Sequence, residues 1–493
     1  MKRTINNIKK VTLSFLILTF ASQCFAQSSI DSDSKISSFQ YMKKLNSVFD
    51  FVQMNYVDDL DPKLLYEGAL KGMLEAIGDP YTLYLDSDYM RDLGDTTNGS
   101  FGGVGLTISK PTENKPDKPA YVEVSSPIED SPGAKAGIQS GDYIVAIEGK
   151  PTPEMSMNEV LANLRGEVGT PVNITILRGA NMKFDIKLVR ALIEVPTVKD
   201  GMIEGTKIGY MRLIQFTPET PKRVQEAIDG FKAAGYTSLI IDLRDNPGGL
   251  ITSAVEVGDK FISEGPIVST KSRLILENHQ FTANKDKTIV SGIPIVVLIN
   301  HGSASASEIL SGALKDNHLA YLVGERTYGK GSVQQVVPLR EDNGIKLTIA
   351  RYYTPSDTNI DKIGIPPDLE IHNVEKFSKE QEELYVKMFE NQAVQKIADE
   401  NPNMKESEIA AAAEKLAKEY PFDLRLLRRL IRVQLMRHQP TPLFDMDYDV
   451  QLKEAIRILK EEKFSELVKQ TKTLKQLQDE AAEKDSKETV AIK

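Results

Sequence analysis

The residues best suited to chemistry in this chain are concentrated in one strand-to-helix passage, residues 294–317 (PIVVLINHGSASASEILSGALKDN). Pro294 to Asn300 is a short apolar run bounded by turn residues, which predicts a fully buried strand; Ile309, Leu310, Ala313 and Leu314 then recur at helical spacing. Between them stand Ser303, Ser305 and Ser307, spaced by alanines. Such a turn lifts a hydroxyl to the edge of a sheet and surrounds it with helix N-terminal amides, as acyl transfer requires for nucleophile and oxyanion. The same serines could simply cap the helix, serine being a preferred N-cap. The segment alone leaves both roles open and does not say which serine would attack.

A serine hydroxyl attacks poorly unless a base takes its proton. Two bases lie in the same part of the chain: His301, just before Ser305, and Lys330, in YGKGSVQQ (328–335). No acidic residue stands close to His301 to orient its ring, so a solvated turn histidine is the simpler reading. Lys330 lies between Gly329 and Gly331, which permit unusual backbone angles and close approach, in a loop between two predicted strands. A lysine in such a loop is ordinarily solvated. To act as a base it must be neutral, which at an unperturbed pKa near 10.4 costs about 4.6 kcal/mol at pH 7. Burial can depress a lysine by ~3–5 units, so the magnitude suffices if the site is dry and no carboxylate pairs tightly with the amine.

Two further stretches are rich in glycine. DLRDNPGG (242–249) follows a buried strand, and Gly248 and Gly249 leave backbone amides able to approach a substrate oxygen; a tight turn without a catalytic part fits equally. Gly103-Val104-Gly105-Leu106 precedes the strand-like Thr107-Ile108, an order that offers successive amides to a carboxylate and a free strand edge to an extended peptide. A nucleotide-binding loop does not fit, because no helix follows and no Lys-Ser/Thr ends the motif.

The elements that position these groups can be read coarsely. Residues 36–93 carry apolar residues at helical spacing, for example Leu45, Val48, Phe49 and Val52, predicting two or three short helices. A boundary is expected near Asp95-Thr96-Thr97-Asn98, after which Gly-rich turns and short alternating runs such as Ile174-Thr175-Ile176-Leu177 predict a small β-rich module. Across residues 205–370, buried strands alternate with helices: strands at 238–243, 295–299, 321–323, 333–339 and 345–353, helices at 250–262 and 305–315. That order implies an α/β layer with parallel strands and functional loops at the strand ends. After His372 the chain turns helical and highly charged, and from about Gln478 it lacks an apolar stripe and is expected to fray.

A length of 493 residues implies more than one domain. Hydrophobic and charged contents of 41% and 27% are those of an ordinary folded, soluble protein, and a formal charge of −9 argues against nucleic acid as a partner. Lys2, Arg3, Lys9 and Lys10, the apolar run Val11 to Ala21, and Cys24-Phe25-Ala26 together read as a secretory signal over residues 1–26. The apolar run is shorter than the about 20 residues that span a bilayer. Cys24 is the only cysteine. It leaves with the signal, or is lipidated as the mature N-terminus, a reading weakened by the bulky Gln23. Either way the mature fold has no disulfide and no cysteine-based metal site.

Four pieces, SASASE (303–308), GERTYGKGSVQ (324–334), DLRDNPGG (242–249) and the pair GVGL with SPGAKAGIQSGDYIVAIEGKP (131–151), stand in the order and spacing of the C-terminal processing peptidases, or tail-specific proteases. The chain resembles that family over most of residues 40–372. The resemblance implies Ser305 as nucleophile, Lys330 as general base and Gln334 as the group orienting the lysine. It places oxyanion donors on Ala306 and on Gly248 or Gly249, and puts Glu308 in an accessory position. It makes Gly103, Val104, Gly105 and Leu106 the binding loop of a PDZ-like module for a substrate's C-terminal tail, with Ile138, Ile144 and Ile147 either lining the peptide groove or lying in the core. The implied fold is α/β, a ClpP/crotonase-like protease core with an inserted β-rich PDZ-like domain and helical N- and C-terminal extensions. Its expected divisions are a signal (1–26), an N-terminal helical segment (27–95), the PDZ-like domain (96–190), the protease core (191–372), a helical extension (373–445), and a closing helix with polar tail (446–493). The implied reaction is hydrolysis of unfolded or tail-exposed proteins by an exported serine endopeptidase without metal or organic cofactor, the C-terminal helices serving as appendage, oligomer contact or adaptor dock. A catalytically silent peptide-binding scaffold is the alternative, opposed by the complete set of Ser305, Lys330 and Gln334.

Overall fold

Leu239 and Ile241 pack on one side of a central sheet and Ile240 on the other, and all are fully buried. A strand covered on both faces must be apolar at every position, which is why the strands Ser238–Asp242 and Ile295–Ile299 read as continuous rather than alternating runs. In this computed structural model the sheet has six strands, in the order Val198–Met202, Ile208–Leu213, Ser238–Asp242, Ile295–Ile299, Tyr321–Gly324 and Leu369–Glu370. The first pair is antiparallel and the rest are parallel. Helices Thr220–Ala233, Ile251–Gly258 and Ala306–Asp316 cover one face through Val224, Ile228, Val257, Ile309 and Leu310. The helix Val450–Glu461 covers the other through Leu452, Ala455 and Ile456. The chain thus forms an α/β core whose loops at the carboxyl ends of the parallel strands are the places for chemistry.

The structure describes residues 37–491, apart from 112–113, 115–118, 129–130, 140, 180, 340–342, 373–376, 437–441 and 462. The expected signal and Cys24 lie outside the described residues. Residues 37–76 form a unit of their own, the helices Ser38–Asn55 and Pro62–Glu75. Asp61 caps the second, accepting from the Lys63 amide at 2.9 Å, with Pro62 in the first turn.

Everything else belongs to a second unit, residues 77–493. Its first strand, Leu83–Leu85, lies in a stretch expected to be helical; it pairs antiparallel with Gly344–Tyr353. That ten-residue strand is the hub of a second, antiparallel sheet that also takes in Ser332–Pro338, Pro266–Lys271 and Gln280–Thr282. A helix, Ser87–Asn98, runs through the expected boundary, and the change to β-structure comes at Ser100. The β-rich module is a sheet ordered Leu106–Ser109, Val122–Pro127, Tyr143–Ile147, Pro171–Arg178, Met182–Val189 around its own apolar cluster. It leaves and rejoins the core through a two-stranded ribbon, Ser100–Gly103 with Ala191–Glu194. The helical extension, Lys379–Glu390, Ala393–Glu400, Glu406–Leu416 and Leu424–Leu435, likewise has a separate core of Met388, Ile409, Ala413, Leu427 and Ile431. The last helix, Leu474–Ala491, continues through Gln478, where fraying was expected: Leu474 is buried in the main core and anchors its first turn, and Ala, Glu and Lys favour helix beyond it.

Candidate active site

The strand Ile295–Ile299 ends in the turn 300–305 and the helix Ala306–Asp316 begins directly after it. Ser305 is the residue between them and sits at φ 55°, ψ −112°. For a residue with a β-carbon this region costs about 1–3 kcal/mol, so the surroundings must impose it. They do so from three sides. The Ala304 amide donates to the Asn246 carbonyl at 3.0 Å, the Tyr328 amide donates to the Ser303 carbonyl at 3.0 Å, and the Ser305 amide donates to Glu308 Oε2 at 2.9 Å.

The three serines differ in what their hydroxyls do. Ser303 is buried and donates to the Leu243 carbonyl at 2.8 Å; Ser307 is buried and donates to the Asn246 carbonyl at 2.9 Å. Both bind the two turns together. Ser305 is half-buried, and its side chain makes no capping hydrogen bond to the helix.

Glu308 is fully buried and connects this turn to the lysine loop. Its Oε1 accepts from Thr327 Oγ1 at 2.6 Å and the Gly329 amide at 2.7 Å; its Oε2 accepts from the Ser305 and Lys330 amides, each at 2.9 Å. Tyr352 OH adds a longer contact at 3.4 Å. Burial pushes the Glu308 carboxyl above its ordinary pKa while these donors pull the other way. The glutamate is therefore a staple between two loops, a use that a first-turn acid does not suggest from sequence. The glycines around Lys330 follow from the same packing: a side chain at Gly329 would meet the Gly364 amide nitrogen at 2.8 Å, and one at Gly331 would meet that of Asp361 at 2.6 Å.

Lys330 itself is lowered to a pKa of about 8, chiefly by burial and then by the neighbouring charge of Lys346, while Glu308 and Asp79 oppose the shift. Its ammonium nitrogen lies 5.3 Å from the centre of the Tyr81 ring. Tyr81 belongs to the turn Asp79-Pro80-Tyr81-Thr82, which is closed by Asp79: the Tyr81 amide donates to Oδ1 at 3.1 Å and Thr82 Oγ1 to Oδ2 at 2.6 Å. Thr82 Oγ1 in turn accepts from the Thr348 amide, so the turn is docked on the same strand that carries Lys346. Burial raises the Asp79 carboxyl, but hydrogen bonds from Thr348, Thr82 and Tyr81, with the Lys330 charge, outweigh it and hold the pKa below the ordinary value. Asp79, Tyr81, Lys346 and Tyr352 were not anticipated. The Gly-Asp-Pro sequence at 78–80 is a turn signal, but the helical periodicity around it conceals it.

Gln334 stands on the strand Ser332–Pro338, where its Nε2 donates to Ser332 Oγ at 2.8 Å and Thr348 Oγ1 at 3.3 Å. Among the described residues it makes no hydrogen bond to Lys330. His301 is exposed and lies tilted against Tyr328, 5.5 Å between ring centres.

The turn after Ser238–Asp242 closes the site. Asn246 is fully buried; its Nδ2 donates to the Leu213 carbonyl at 2.8 Å and its Oδ1 accepts from the Gly248 amide at 2.9 Å. Gly248, at φ 102°, lies flat against the serine turn: a β-carbon there would come 2.8 Å from both Ser305 Cβ and the Ala306 nitrogen. Gly249, at φ 142°, faces the other way, toward the Phe216 carbonyl. At the start of the helix the Ser307 and Glu308 amides donate to the Ala304 and Ser305 carbonyls, whereas among the described residues the Ala306 amide has no such partner. A half-buried serine and, among the described residues, an unpaired helix amide thus adjoin on one turn, and Glu308 ties that turn to the loop that carries the depressed lysine.

In the β-rich module the four residues of the GVGL loop separate. Gly103 ends the ribbon, Val104 is buried in the module's core, and Gly105, at φ 70°, offers its carbonyl to the Ile128 amide at 2.9 Å and to Ser131 Oγ at 3.0 Å. Leu106 opens the edge strand Leu106–Ser109, paired on one side only among the described residues. Ile138, Ile144 and Ile147 are core residues, 3%, 0% and 0% exposed, and so do not line a groove.

A model of peptidase family S41 matches residues 207–371, and one of the PDZ domain matches residues 123–178. A third, described as the N-terminal domain of the activating protease CtpB, matches residues 14–89. Similar curated proteins include the carboxy-terminal-processing protease of Bartonella bacilliformis, 42% identical over 69% of this chain and 77% of that protein. The carboxy-terminal processing protease CtpA of Bacillus subtilis is 33% identical over 66% of this chain and 68% of its own length. The carboxyl-terminal-processing protease of Synechocystis is 38% identical over 61% and 69%.

Proposed function

The chain belongs to the carboxy-terminal processing proteases of peptidase family S41, serine-type endopeptidases with a PDZ domain, and from that premise we propose that it cleaves through an acyl-enzyme formed on Ser305 with Lys330 as the base. Neutral Lys330 takes the proton from Ser305 Oγ as the oxygen attacks the scissile carbonyl. The tetrahedral oxyanion is held by the Ala306 amide and an amide of the Gly248-Gly249 turn, and Lys330 returns the proton to the departing amine. Water then attacks the ester by the same route, the lysine taking its proton and passing it to Ser305 Oγ as the carboxylic acid product departs.

The observation that carries this reading is that one oxygen, Glu308 Oε2, accepts from both the Ser305 and the Lys330 amides at 2.9 Å. The two backbones can therefore lie no farther apart than twice that length. The lysine's pKa supports it too: at about 8, roughly a tenth of the amines are neutral at pH 7, at a cost of only about 1.4 kcal/mol. Gln334 Nε2 donates to Ser332 and Thr348, so the orienting role of this residue falls to its acceptor Oε1, beside the packing of Tyr81 and the loop geometry set by Glu308.

Substrates are proteins. Selection of their C-terminal tails is assigned to the GVGL loop and the open strand edge behind it, where an extended peptide can add a strand. Export rests on the basic start, apolar run and small-residue cleavage site of residues 1–26; N-terminal sequencing of the cell-envelope form tests it, an intact Met1 being the contrary result.

The test of the mechanism is Lys330→Arg beside Lys330→Ala. A guanidinium stays charged at any accessible pH and cannot serve as a base, so both variants should be inactive against an unfolded protein. Substantial activity in the arginine variant would make Lys330 an electrostatic residue and turn attention to His301.

A further inference from the structure

Arg244 stands between the core strand Ser238–Asp242 and the turn that reaches Ser305, and it is held by more than its own strand. Its Nε donates to Asp242 Oδ1 at 2.9 Å and its Nη2 to Asp242 Oδ2 at 2.5 Å. Asp242 is fully buried and also accepts from Tyr210 OH at 2.7 Å. One carboxylate already balances the guanidinium, yet a second arrives from 205 residues away: Asp449 accepts from Nη1 at 2.9 Å and from Nη2 at 2.7 Å. Gln451 Oε1 accepts from Nη1 as well, at 3.0 Å. A planar guanidinium gripped by two carboxylate forks has no freedom to rotate, and the backbone from which it grows is fixed with it.

Asp449 is itself anchored on both sides. It caps the helix Val450–Glu461, accepting from the Leu452 amide at 2.9 Å. The residues just before it are tied to the helical extension: Arg432 donates to Asp447 Oδ2 at 2.7 Å, Tyr448 OH donates to Glu406 Oε1 at 2.7 Å, and the guanidiniums of Arg428 and Arg432 lie 5.5 and 5.3 Å from the Tyr448 ring centre. On the far side of Arg244, the Asp245 amide donates to Asn300 Oδ1 at 2.9 Å, the Asn246 carbonyl takes the Ala304 amide and the Ser307 hydroxyl, and Gly248 lies against Ser305.

We propose that Asp449 is a positioning residue for catalysis: presented by residues 442–449 just ahead of the helix Val450–Glu461, it sets the turn 245–249 against Ser305 by gripping Arg244. This gives the extension a place in the reaction without any contact to substrate. The proposal rests on the reading that the turn contributes to the oxyanion site. Its consequence is kinetic. A small displacement of an oxyanion donor weakens binding of the tetrahedral state and leaves docking of the tail untouched.

The experiment compares the full-length enzyme with Asp449→Asn, Asp449→Glu and Gly248→Ala, measuring kcat and KM on an unfolded protein substrate together with the affinity of a peptide boronic acid, which forms a tetrahedral adduct on the nucleophile. Asp449→Asn keeps the shape and the cap but loses one charged fork. Its kcat and boronate affinity should both fall about tenfold or more with KM within about twofold, and the glutamate variant should recover part of the loss. Unchanged kcat and boronate affinity in Asp449→Asn, with Gly248→Ala inactive, would overturn the proposal while leaving the oxyanion reading intact. Full activity of Gly248→Ala would instead remove the reading on which it rests. Should the asparagine variant unfold under assay conditions, Arg244→Lys, which keeps the charge and loses the fork, must show the same split between kcat and KM; an unaltered kcat there is equally contrary.

Discussion

Gly248 lies so close to Ser305 that a methyl group added to it would stand 2.8 Å from the serine's Cβ, and its φ of 102° is one that side chains rarely adopt. Gly248→Ala should therefore displace the serine turn and lower kcat by about 10²-fold, the loss expected from a misplacement of the reacting groups by about 1 Å, since alanine keeps the amide that donates to Asn246. Gly249→Ala meets the Phe216 carbonyl instead, at 2.0 Å, so its first effect should be on stability, a loss of more than about 1 kcal/mol seen in thermal unfolding. Equal kinetic effects at the two positions would contradict the assignment of Gly248 to the side facing the nucleophile.

Activity should rise with pH through about 8, because the neutral amine is the working form and Lys330 titrates there. Lys346 contributes to that depression by repelling the ammonium. Removing it in Lys346→Met relieves the repulsion, raises the Lys330 pKa and should move the rising limb of the kcat/KM profile to higher pH. A shift to lower pH, or none, would separate the observed limb from Lys330.

A substrate ending in a free carboxylate should be preferred to the same substrate ending in an amide. Hydrogen bonds to a charged group contribute ~1.5–3 kcal/mol, so amidation should weaken docking about ten- to a hundredfold at ~1.4 kcal/mol per decade. Cleavage rates below saturation report this directly. Equal rates for acid and amide would leave a serine protease whose PDZ module serves another partner.

What could be read from sequence was what is local. The buried strand Ile295–Ile299, the helix after it and the serines between them follow from apolar runs and turn residues within a few positions of one another. The strand Leu83–Leu85 could not be seen, being three residues long inside a helical pattern, with its partner Gly344–Tyr353 about half the chain away. The surroundings of Lys330 were hidden for the same reason: Asp79 and Tyr81 reach it only because that strand pairing brings their turn across. Gly248 and Gly249 are equivalent in composition, and only the packing against Ser305 on one side and Phe216 on the other tells them apart. Glu308 stands in the first turn of its helix, where the dipole alone favours an acid, and its use as an acceptor for the Lys330 loop depends on a strand and loop about twenty residues on.

The most direct measurement is cleavage of an unfolded protein, read by mass spectrometry, by Ser305→Ala beside Ser303→Ala and Ser307→Ala, with thermal unfolding of each variant. A serine acyl-enzyme on residue 305 predicts no product from Ser305→Ala at an unchanged unfolding temperature, because the change removes no hydroxyl that the fold uses. Ser303→Ala and Ser307→Ala should be less stable, having lost hydroxyls that donate to the Leu243 and Asn246 carbonyls, but should still turn over where folded. Continued turnover by Ser305→Ala, with Ser303→Ala or Ser307→Ala folded and inactive, would contradict it.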